Sequence, residues 1–207
     1  TYDLVLACTV LTMALSPLVS SAALPLGRAW RRWQKPSRMV RVIDPMKIRL
    51  EDHVVLAGYG RSGRAAADAL RAAGIPTVVV EQDHALYRDA REAGFKAVWG
   101  DMTGEEVLHA ACIDQARVLL LTPPDPDTVL LAAARARRRN PALAIIARAT
   151  RAHHLPSLHA QGVDTAVLPE FEGGIEMVRQ ALTRFQRDTV ETSRVIDEFR
   201  AHFYQRG

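Results

Sequence analysis

Three glycines, Gly58, Gly60 and Gly63, stand between a short apolar run and an alanine-rich segment in VVLAGYGRSGRAAADALRAAG, residues 54–74. In a turn from a strand into a helix, the first glycine permits a sharp bend and the second lets a pyrophosphate approach the backbone. The third glycine lets the helix pack closely on the strand, and the helix dipole favours the phosphate charge. Arg61 lies inside the turn, where its guanidinium can donate to a phosphate oxygen. The spacing predicts a phosphate-binding turn.

An acidic residue, Glu81, ends the second apolar run, 23 residues after Gly58. A carboxylate at this position accepts hydrogen bonds from the ribose hydroxyls of an adenosine. It also repels a 2′-phosphate, and the next residue is Gln82 rather than an arginine. The pattern therefore favours NAD or an adenine mononucleotide over NADP. The alternative is a glycine turn that serves only the packing of the helix on the strand.

Polar side chains follow other apolar runs at the point where each run ends. Asp101 and Thr103 leave the third run, Thr122 leaves the fourth and Arg148 ends the fifth. Ligands bind at the carboxyl ends of parallel strands, so these residues are candidate neighbours of the adenosine or the phosphates. Two alternatives stay open. Thr103 and Glu106 have the spacing of a helix capping box, and the alternative role of Arg148 is a structural ion pair.

Short apolar runs alternate with helical segments along the middle of the chain, which is typical of a parallel sheet with helices on both faces. Right-handed crossovers then give a doubly wound, Rossmann-like α/β fold over residues 51–169. The strands are predicted at 53–58, 76–81, 96–100, 116–122, 143–149 and 164–169. The helices between them are predicted to end near Ala73 and to span 84–93, 103–112, 126–139 and 152–161.

Residues 170–207 have a different pattern, with apolar side chains at helical spacing. This pattern predicts one or two amphipathic helices, whose apolar faces need a partner in the same domain or in a second copy. We expect a dimer contact here. The apolar residues are Ile175, Val178, Leu182, Phe185, Val195, Ile196, Phe199 and Phe203.

Residues 4–26 contain no charged side chain. A helix of this length spans about 34 Å, enough for a hydrocarbon core of about 30 Å. Trp30, Trp33 and an arginine cluster follow, as expected at a cytoplasmic interface. We predict a transmembrane helix within residues 1–27, one of a bundle whose other helices lie upstream, with everything after residue 27 cytoplasmic. The alternatives are a signal peptide, which carries its charge before the apolar run, and a buried core helix.

The basic character of the chain is concentrated in one segment, a predicted cytoplasmic linker at 28–50. Eight basic residues and one acidic residue give this linker a net charge of +7, whereas the whole chain carries +4, so the remainder is at −3. A chain whose folded part is mildly acidic is not expected to bind nucleic acid. Cys8 and Cys112 are too few for a disulfide framework and have no metal-ligand spacing.

A nicotinamide-dependent dehydrogenase is the rival interpretation from another class. Such an enzyme needs a substrate domain and a proton-transfer group beside the nicotinamide. About 38 residues follow the sixth predicted strand, the seven histidines are scattered, and no catalytic pair emerges from the spacing. We therefore expect a binding domain with no catalytic residues and no metal site.

Several motifs together resemble a known family: AGYGRSGRAAADAL, VVVEQDHALYRDAREAGFKAVWGDMT, LLLTPPDPDT, IIARATRAHHLPSLHAQGVD and VLPE. Over residues 51–170 their order is similar to that of the TrkA-N domain, which regulates potassium conductance, at the C-terminus of Kef-type monovalent cation:proton antiporters. The apolar segment and basic linker resemble the last membrane helix of such an antiporter. The contacts expected with the cofactor are Gly58, Tyr59, Gly60, Arg61, Ser62, Gly63, Glu81, Gln82, Asp101, Met102, Thr103, Thr122 and Arg148.

The resemblance implies a regulatory domain that binds NAD(H) or an adenine nucleotide (AMP, ADP or ATP), pairs with a second copy and gates potassium (or sodium)/proton exchange in the inner membrane. The family's ion-translocating acids lie on earlier membrane helices, so residues 1–207 are not expected to transport ions alone. A gating subunit of a potassium uptake channel remains an alternative, against which the apolar residues 4–26 count because such subunits are soluble.

Overall fold

The computed structural model describes residues 2, 3, 5–7, 12, 13, 50–185 and 188–206. The chain divides into two compact units, Thr1–Met39 and Val40–Gly207. The predicted membrane span and the predicted linker lie outside the described residues, apart from residues 2, 3, 5–7, 12, 13 and 50. Within the described part of the chain, no helix combines the length and the apolar character needed to cross a bilayer. The boundaries at residues 27, 50 and 169 stay predictions.

A six-stranded parallel sheet in the order β3-β2-β1-β4-β5-β6 forms the centre of the second unit. The order reverses between β1 and β4, which confirms the predicted doubly wound, Rossmann-like sheet of six strands. Ligands of such sheets bind at this reversal, outside the carboxyl ends of the strands. The strands are β1 (His53–Ala57), β2 (Thr77–Glu81), β3 (Lys96–Trp99), β4 (Ala116–Leu121), β5 (Ala144–Arg148) and β6 (Thr165–Val167).

Helices connect the strands and continue beyond the last one. Two of them begin at an aspartate whose side chain accepts backbone N–H groups of the first turn: Asp83 before the second helix and Asp125 before the fourth. The helices are α1 (Arg61–Ala72), α2 (His84–Glu92), α3 (Glu105–Ala110), α4 (Pro126–Arg139), α5 (Leu155–Ala160), α6 (Pro169–Arg184) and α7 (Thr189–Arg206). Short 3-10 turns at Ile113–Gln115 and Ala152–His154 precede β4 and α5.

The two faces of the sheet are covered to different extents. On β1, Val55 and Ala57 pack with α3, α4 and α5, whereas Leu56 packs with α1 and α2. On the face of Leu56, the neighbouring strands carry Leu120 and Ile146, which are only half-buried. Because α1 and α2 lie over the β1–β2 side, the expected covering of both faces is met there and is incomplete over β4 and β5 among the described residues.

The helices α6 and α7 pack on each other beyond β6. The aromatic rings of Phe171 and Phe203 stack with their centroids 3.8 Å apart, and the Leu168 N–H donates to the Tyr204 hydroxyl at 3.1 Å. Burial raises the pKa of that hydroxyl. The predicted helical extension is therefore two helices, and α7 is held at the junction where β6 leads into α6.

Asp164 links the edge of the sheet to α4. One carboxylate oxygen accepts the Ile145 N–H at 2.6 Å and the Arg137 guanidinium at 2.7 Å. The hydrogen bond from Ile145, with that from Arg137, lowers the pKa of Asp164 below its ordinary 3.8. A carboxylate with a lowered pKa stabilises the fold above the unfolded-state pKa, and this contribution is lost as pH falls through the lower folded-state value.

We therefore expect Asp164→Asn to reduce the free energy of unfolding by about 1 kcal/mol at pH 7, because the half-exposed carboxylate loses a charged hydrogen bond. The difference from the wild type should shrink as pH falls below about 4, where the wild-type carboxylate also becomes protonated. Urea unfolding at pH 7, 4 and 3 measures this difference. A difference that stays constant over this range would contradict the assignment.

Candidate functional site

Two glycines of the turn between β1 and α1 are required by the protein itself. Gly58 has φ +90°, which L side chains rarely adopt, and its N–H donates to the Val80 carbonyl at 2.8 Å. A Cβ on Gly58 would lie 2.6 Å from the Thr122 hydroxyl oxygen. A Cβ on Gly63 would lie 2.0 Å from the Gly58 carbonyl oxygen, so the close approach of α1 to the turn excludes any side chain.

The middle glycine is different, because nothing in the described protein requires it. Gly60 has φ −71°, which any residue adopts, and apart from its own chain neighbours no described atom lies within 4 Å of the position that its Cβ would take. Gly60 is the N-cap of α1 and lines an open cleft. Bare backbone at a helix N-terminus is the arrangement that accepts a phosphate group, so this turn fits the pyrophosphate predicted from the sequence.

The cleft lies outside the carboxyl ends of the strands and has a volume of about 790 Å³. Its walls come from the segments that follow β1 to β6, so residues far apart in the sequence meet there. The predicted site residues that line it are Gly58, Gly60, Arg61, Ser62, Gly63, Glu81, Gln82, Asp101, Met102, Thr122 and Arg148. The fold therefore brings eleven of the thirteen predicted residues together.

Glu81 is the buried acid of the cleft, with only 7% of the residue exposed. One carboxylate oxygen accepts the Tyr59 N–H at 2.6 Å and the other accepts the Asp83 N–H at 2.8 Å. Each oxygen has two lone pairs, so the carboxylate can still accept ribose hydroxyls. Sequence reasoning missed this second role, in which Glu81 joins the glycine turn to the turn before α2.

The structure does not bring Tyr59 to the cleft, in contrast to the expected phosphate contact. Its ring is buried and meets Phe95 edge to face, with centroids 5.9 Å apart. Burial raises the pKa of the phenol. The Tyr59 N–H is already bonded to Glu81, so neither the ring nor the amide lines the ligand space. The ring belongs to the packing of α1 and α2 on the sheet.

Thr103 is the second predicted residue that does not line the cleft. Its N–H donates to Asp101 at 2.8 Å, and its carbonyl accepts the Arg135 guanidinium of α4. The capping-box alternative is wrong, because α3 begins at Glu105 and Gly104 is its N-cap, without a side-chain cap. The Asp101 side chain forms a tight turn with Thr103, which delays the start of the helix by two residues.

Two further predicted residues, Thr122 and Arg148, line the cleft and also bond to other parts of the protein. The Thr122 hydroxyl donates to the Ala57 carbonyl at 2.8 Å, which ties β4 to the start of the glycine turn. Arg148 makes the ion pair that its alternative interpretation expected, with a nitrogen 3.3 Å from a Glu170 oxygen. Both remain positioned to meet a ligand because both line the cleft.

Sequence reasoning missed several lining residues that follow the strand ends. The signal for them was present, since each stands within a few residues of a predicted carboxyl end, but local patterns do not say which way a loop folds. They include Asp83, Leu86, Pro123, Pro124, Thr128, Pro169 and Glu170.

The chemistry of the lining indicates binding. Four carboxylates, Glu81, Asp83, Asp101 and Glu170, stand with two cations, Arg61 and Arg148. Carboxylates suit hydroxyl and amino groups, whereas the arginines and the N-terminus of α1 suit phosphates. The other polar side chains of the described lining are Ser62, Gln82, Thr122 and Thr128.

Fold and cleft together define a doubly wound Rossmann-like domain with a glycine turn at the strand-order reversal. The chain belongs to the TrkA-N domain family, whose pattern matches residues 54–169, more than half of its length. The family resemblance stated from the motifs is therefore confirmed.

Two curated relatives are both potassium transport proteins by name. "Potassium channel protein 1" of Methanocaldococcus jannaschii is 30% identical over 153 residues, 72% of this chain and 45% of the relative. "Glutathione-regulated potassium-efflux system protein KefC" of Cronobacter sakazakii is 30% identical over 195 residues, 94% of this chain and 30% of the relative. The chain thus spans less than half the length of either relative.

Two solved structures share the fold. The Kef CTD of Shewanella denitrificans in its AMP-bound form has a TM-score of 0.63 at 25% identity, covering 74% of this chain and 96% of that one. The GsuK channel bound to NAD has a TM-score of 0.54 at 21% identity, covering 80% of this chain and 27% of that one. The second likeness concerns the fold alone.

Proposed function

We propose that this chain is the nucleotide-sensing regulatory part of a potassium (or sodium)/proton antiporter, in which NAD(H) or AMP, ADP or ATP binds in the cleft and gates ion transport. The observation that carries the proposal is Gly60, a glycine that the described protein does not need and that lines the cleft. Membership of the TrkA-N family and the similarity to KefC and the AMP-bound Kef CTD support it.

The cleft suggests how the ligand lies. The phosphates meet the N-terminus of α1 and Arg61, because unpaired helix amides and a cation favour negative charge there. The ribose hydroxyls donate to the remaining lone pairs of Glu81. The adenosine then extends towards Asp101 and Met102 at the end of β3, which line the same cleft.

A sensor is favoured over a dehydrogenase by the relatives, because KefC and the potassium channel protein are named for ion transport and not for an oxidoreductase reaction. The polar side chains of the described lining are carboxylates, hydroxyls, the Gln82 amide and arginines, and each of these suits a group of a nucleotide. We therefore assign the chain a binding role and no enzymatic activity.

The proposed setting is the inner membrane, with residues after 27 in the cytoplasm and the predicted span joined to upstream antiporter helices. A second copy is the proposed partner of this domain. Exposed apolar side chains on α6, at its C-terminal end and on α7 support pairing, and they include Phe185 at 77% and Phe199 at 57% exposure. The half-covered face of β4 and β5 supports it as well. Sedimentation velocity of the 207-residue chain tests this pairing. A chain that sediments as a monomer would rule the pairing out.

A gating domain of a potassium channel is the second candidate, favoured by the similarity to the channel protein of Methanocaldococcus jannaschii. Both candidates use the same cleft and differ in the membrane part that it controls. Reconstitution of the natural full-length protein in vesicles distinguishes them, because an antiporter couples cation flux to proton flux and a channel does not.

The nucleotide proposal predicts that an adenine nucleotide binds the 207-residue chain with micromolar affinity in calorimetric titrations with AMP, ADP and NADH. Gly60→Ala should weaken binding about tenfold, because the new methyl group occupies space that a pyrophosphate needs. Its free energy of unfolding should change by less than about 1 kcal/mol, since the Cβ meets no protein atom. Absence of binding at millimolar nucleotide, or unchanged affinity in the variant, would contradict the proposal.

A further inference from the structure

The ion pair between Arg148 and Glu170 is the starting point, because it lies in the cleft wall and is incomplete. A single nitrogen of Arg148 meets Glu170 at 3.3 Å, longer than a strong charge-assisted hydrogen bond. The Arg148 side chain is 24% exposed and the Glu170 side chain is 68% exposed. An ion pair this exposed is worth less than about a factor of five in an equilibrium constant.

A second nitrogen of the same guanidinium has no partner. The Nε atom of Arg148 is buried and has no hydrogen-bond partner among the described residues. The guanidinium presents its donors as a fork that matches two oxygens of one anionic group, which Glu170 does not use. A phosphate group that reaches this end of the cleft and displaces Glu170 can engage two nitrogens of the guanidinium, whereas Glu170 engages one.

Glu170 stands on a turn with a second set of contacts. In this first turn of α6, the Glu172 carboxylate accepts the Arg200 guanidinium at 3.0 Å and the Tyr204 hydroxyl at 3.1 Å. Phe171, between the two glutamates, stacks on Phe203 of α7. One helical turn therefore contacts the cleft through Glu170 and α7 through the next two residues.

We infer that Glu170 is a built-in competitor for Arg148, so that an anionic group of the bound ligand takes Arg148 from Glu170 and the released first turn of α6 changes the packing of α7. This inference rests on the proposed function, since it needs a nucleotide in the cleft. The first turn of α6 is then the element through which a ligand in the cleft affects α7, and Arg148 binds a phosphate group of that ligand.

The test compares Glu170→Gln with the matched control Glu176→Gln, an ion-paired glutamate on α6 that does not line the cleft. Calorimetry of the 207-residue chain uses ADP and adenosine as probes. We expect Glu170→Gln to tighten ADP binding about two- to fivefold and to leave adenosine binding unchanged. Glu176→Gln should change neither. Arg148→Gln should weaken ADP binding about tenfold and abolish the effect of Glu170→Gln in the double variant.

The hydrogen-exchange rate of the α7 amides is the second measurement. Removal of a charge near the ligand would not by itself change this rate. ADP should speed exchange in α7 of the wild type, and Glu170→Gln should show the faster exchange without ligand. If ADP binds but Glu170→Gln alters neither its affinity nor the exchange of α7, the competitor inference fails and the proposed function stands. If neither ADP nor adenosine binds at millimolar concentration, the proposed function fails together with it.

Discussion

Replacement of Gly63 with alanine is expected to lower the free energy of unfolding by about 3 kcal/mol. The added Cβ would lie 2.0 Å from the Gly58 carbonyl oxygen and 2.9 Å from its carbonyl carbon. These atoms belong to the backbone of the turn, so they cannot rotate away as the end of a flexible side chain can. Relief requires α1 to move off the sheet, which disturbs the packing of the buried Ala67 of α1 against Leu56 and Val79.

Urea unfolding of the 207-residue chain measures this loss, and Gly173→Ala provides the control. Gly173 lies within α6, is exposed, and has no atom within 4 Å of its Cβ position. Alanine there should stabilise the protein by up to about 1 kcal/mol, because it is the better helix former. The same chemical change therefore has opposite signs at the two positions. A Gly63→Ala variant as stable as the wild type would show that the turn is not as close to α1 as described.

Replacement of Glu81 with alanine is expected to weaken adenine nucleotide binding by about 30- to 150-fold. This range corresponds to about 2–3 kcal/mol, the contribution of one or two hydrogen bonds from ribose hydroxyls to a charged acceptor. The variant should also unfold more easily by about 1–3 kcal/mol, because the N–H groups of Tyr59 and Asp83 lose their acceptor. Both losses have one cause, the removal of a carboxylate that holds the cleft together and faces the ligand.

Calorimetry with AMP and NADH, with urea unfolding alongside, measures both quantities. Glu92→Ala is the control, since Glu92 is an exposed acid at the end of α2 that does not line the cleft. Its unfolding free energy should change by less than about 0.5 kcal/mol and its affinity by less than about threefold. Glu81→Gln should fall between the two variants, because its amide oxygen replaces only one of the two acceptor oxygens. Normal nucleotide affinity in Glu81→Ala would refute the ribose contact.

The order and type of the strands and helices were predictable because they depend on local pattern. Runs such as HVVLA and TVVVE are long enough to form a strand, and Gly58 follows the first run while Pro76 precedes the second. The predicted strands at 53–58 and 76–81 differ from β1 and β2 by one residue at one end. The glycine spacing was equally informative, because Gly58 and Gly63 meet steric limits of the backbone and Gly60 leaves room for a ligand.

The direction of individual side chains was not predictable in the same way. Tyr59 stands between two cleft glycines in the sequence, yet its ring packs against Phe95, on the segment between α2 and β3. Thr103 and Glu106 have the spacing of a capping box, but the Thr103 N–H donates to the Asp101 side chain and the helix begins after Thr103. In both cases the side chain or amide makes a contact that the local sequence pattern did not predict.

Local patterns were enough to predict the alternation of strands and helices, the glycine turn and the acid at the end of β2, because these follow from periodicity and from steric limits within a few residues. Three features depend on long-range contacts instead: Glu81 binds two backbone amides, Arg148 pairs with Glu170, and the first turn of α6 joins the cleft to α7. Those contacts join segments brought together by the sheet order, and hydrogen bonds and ion pairs between such segments depend on distances that no local pattern encodes.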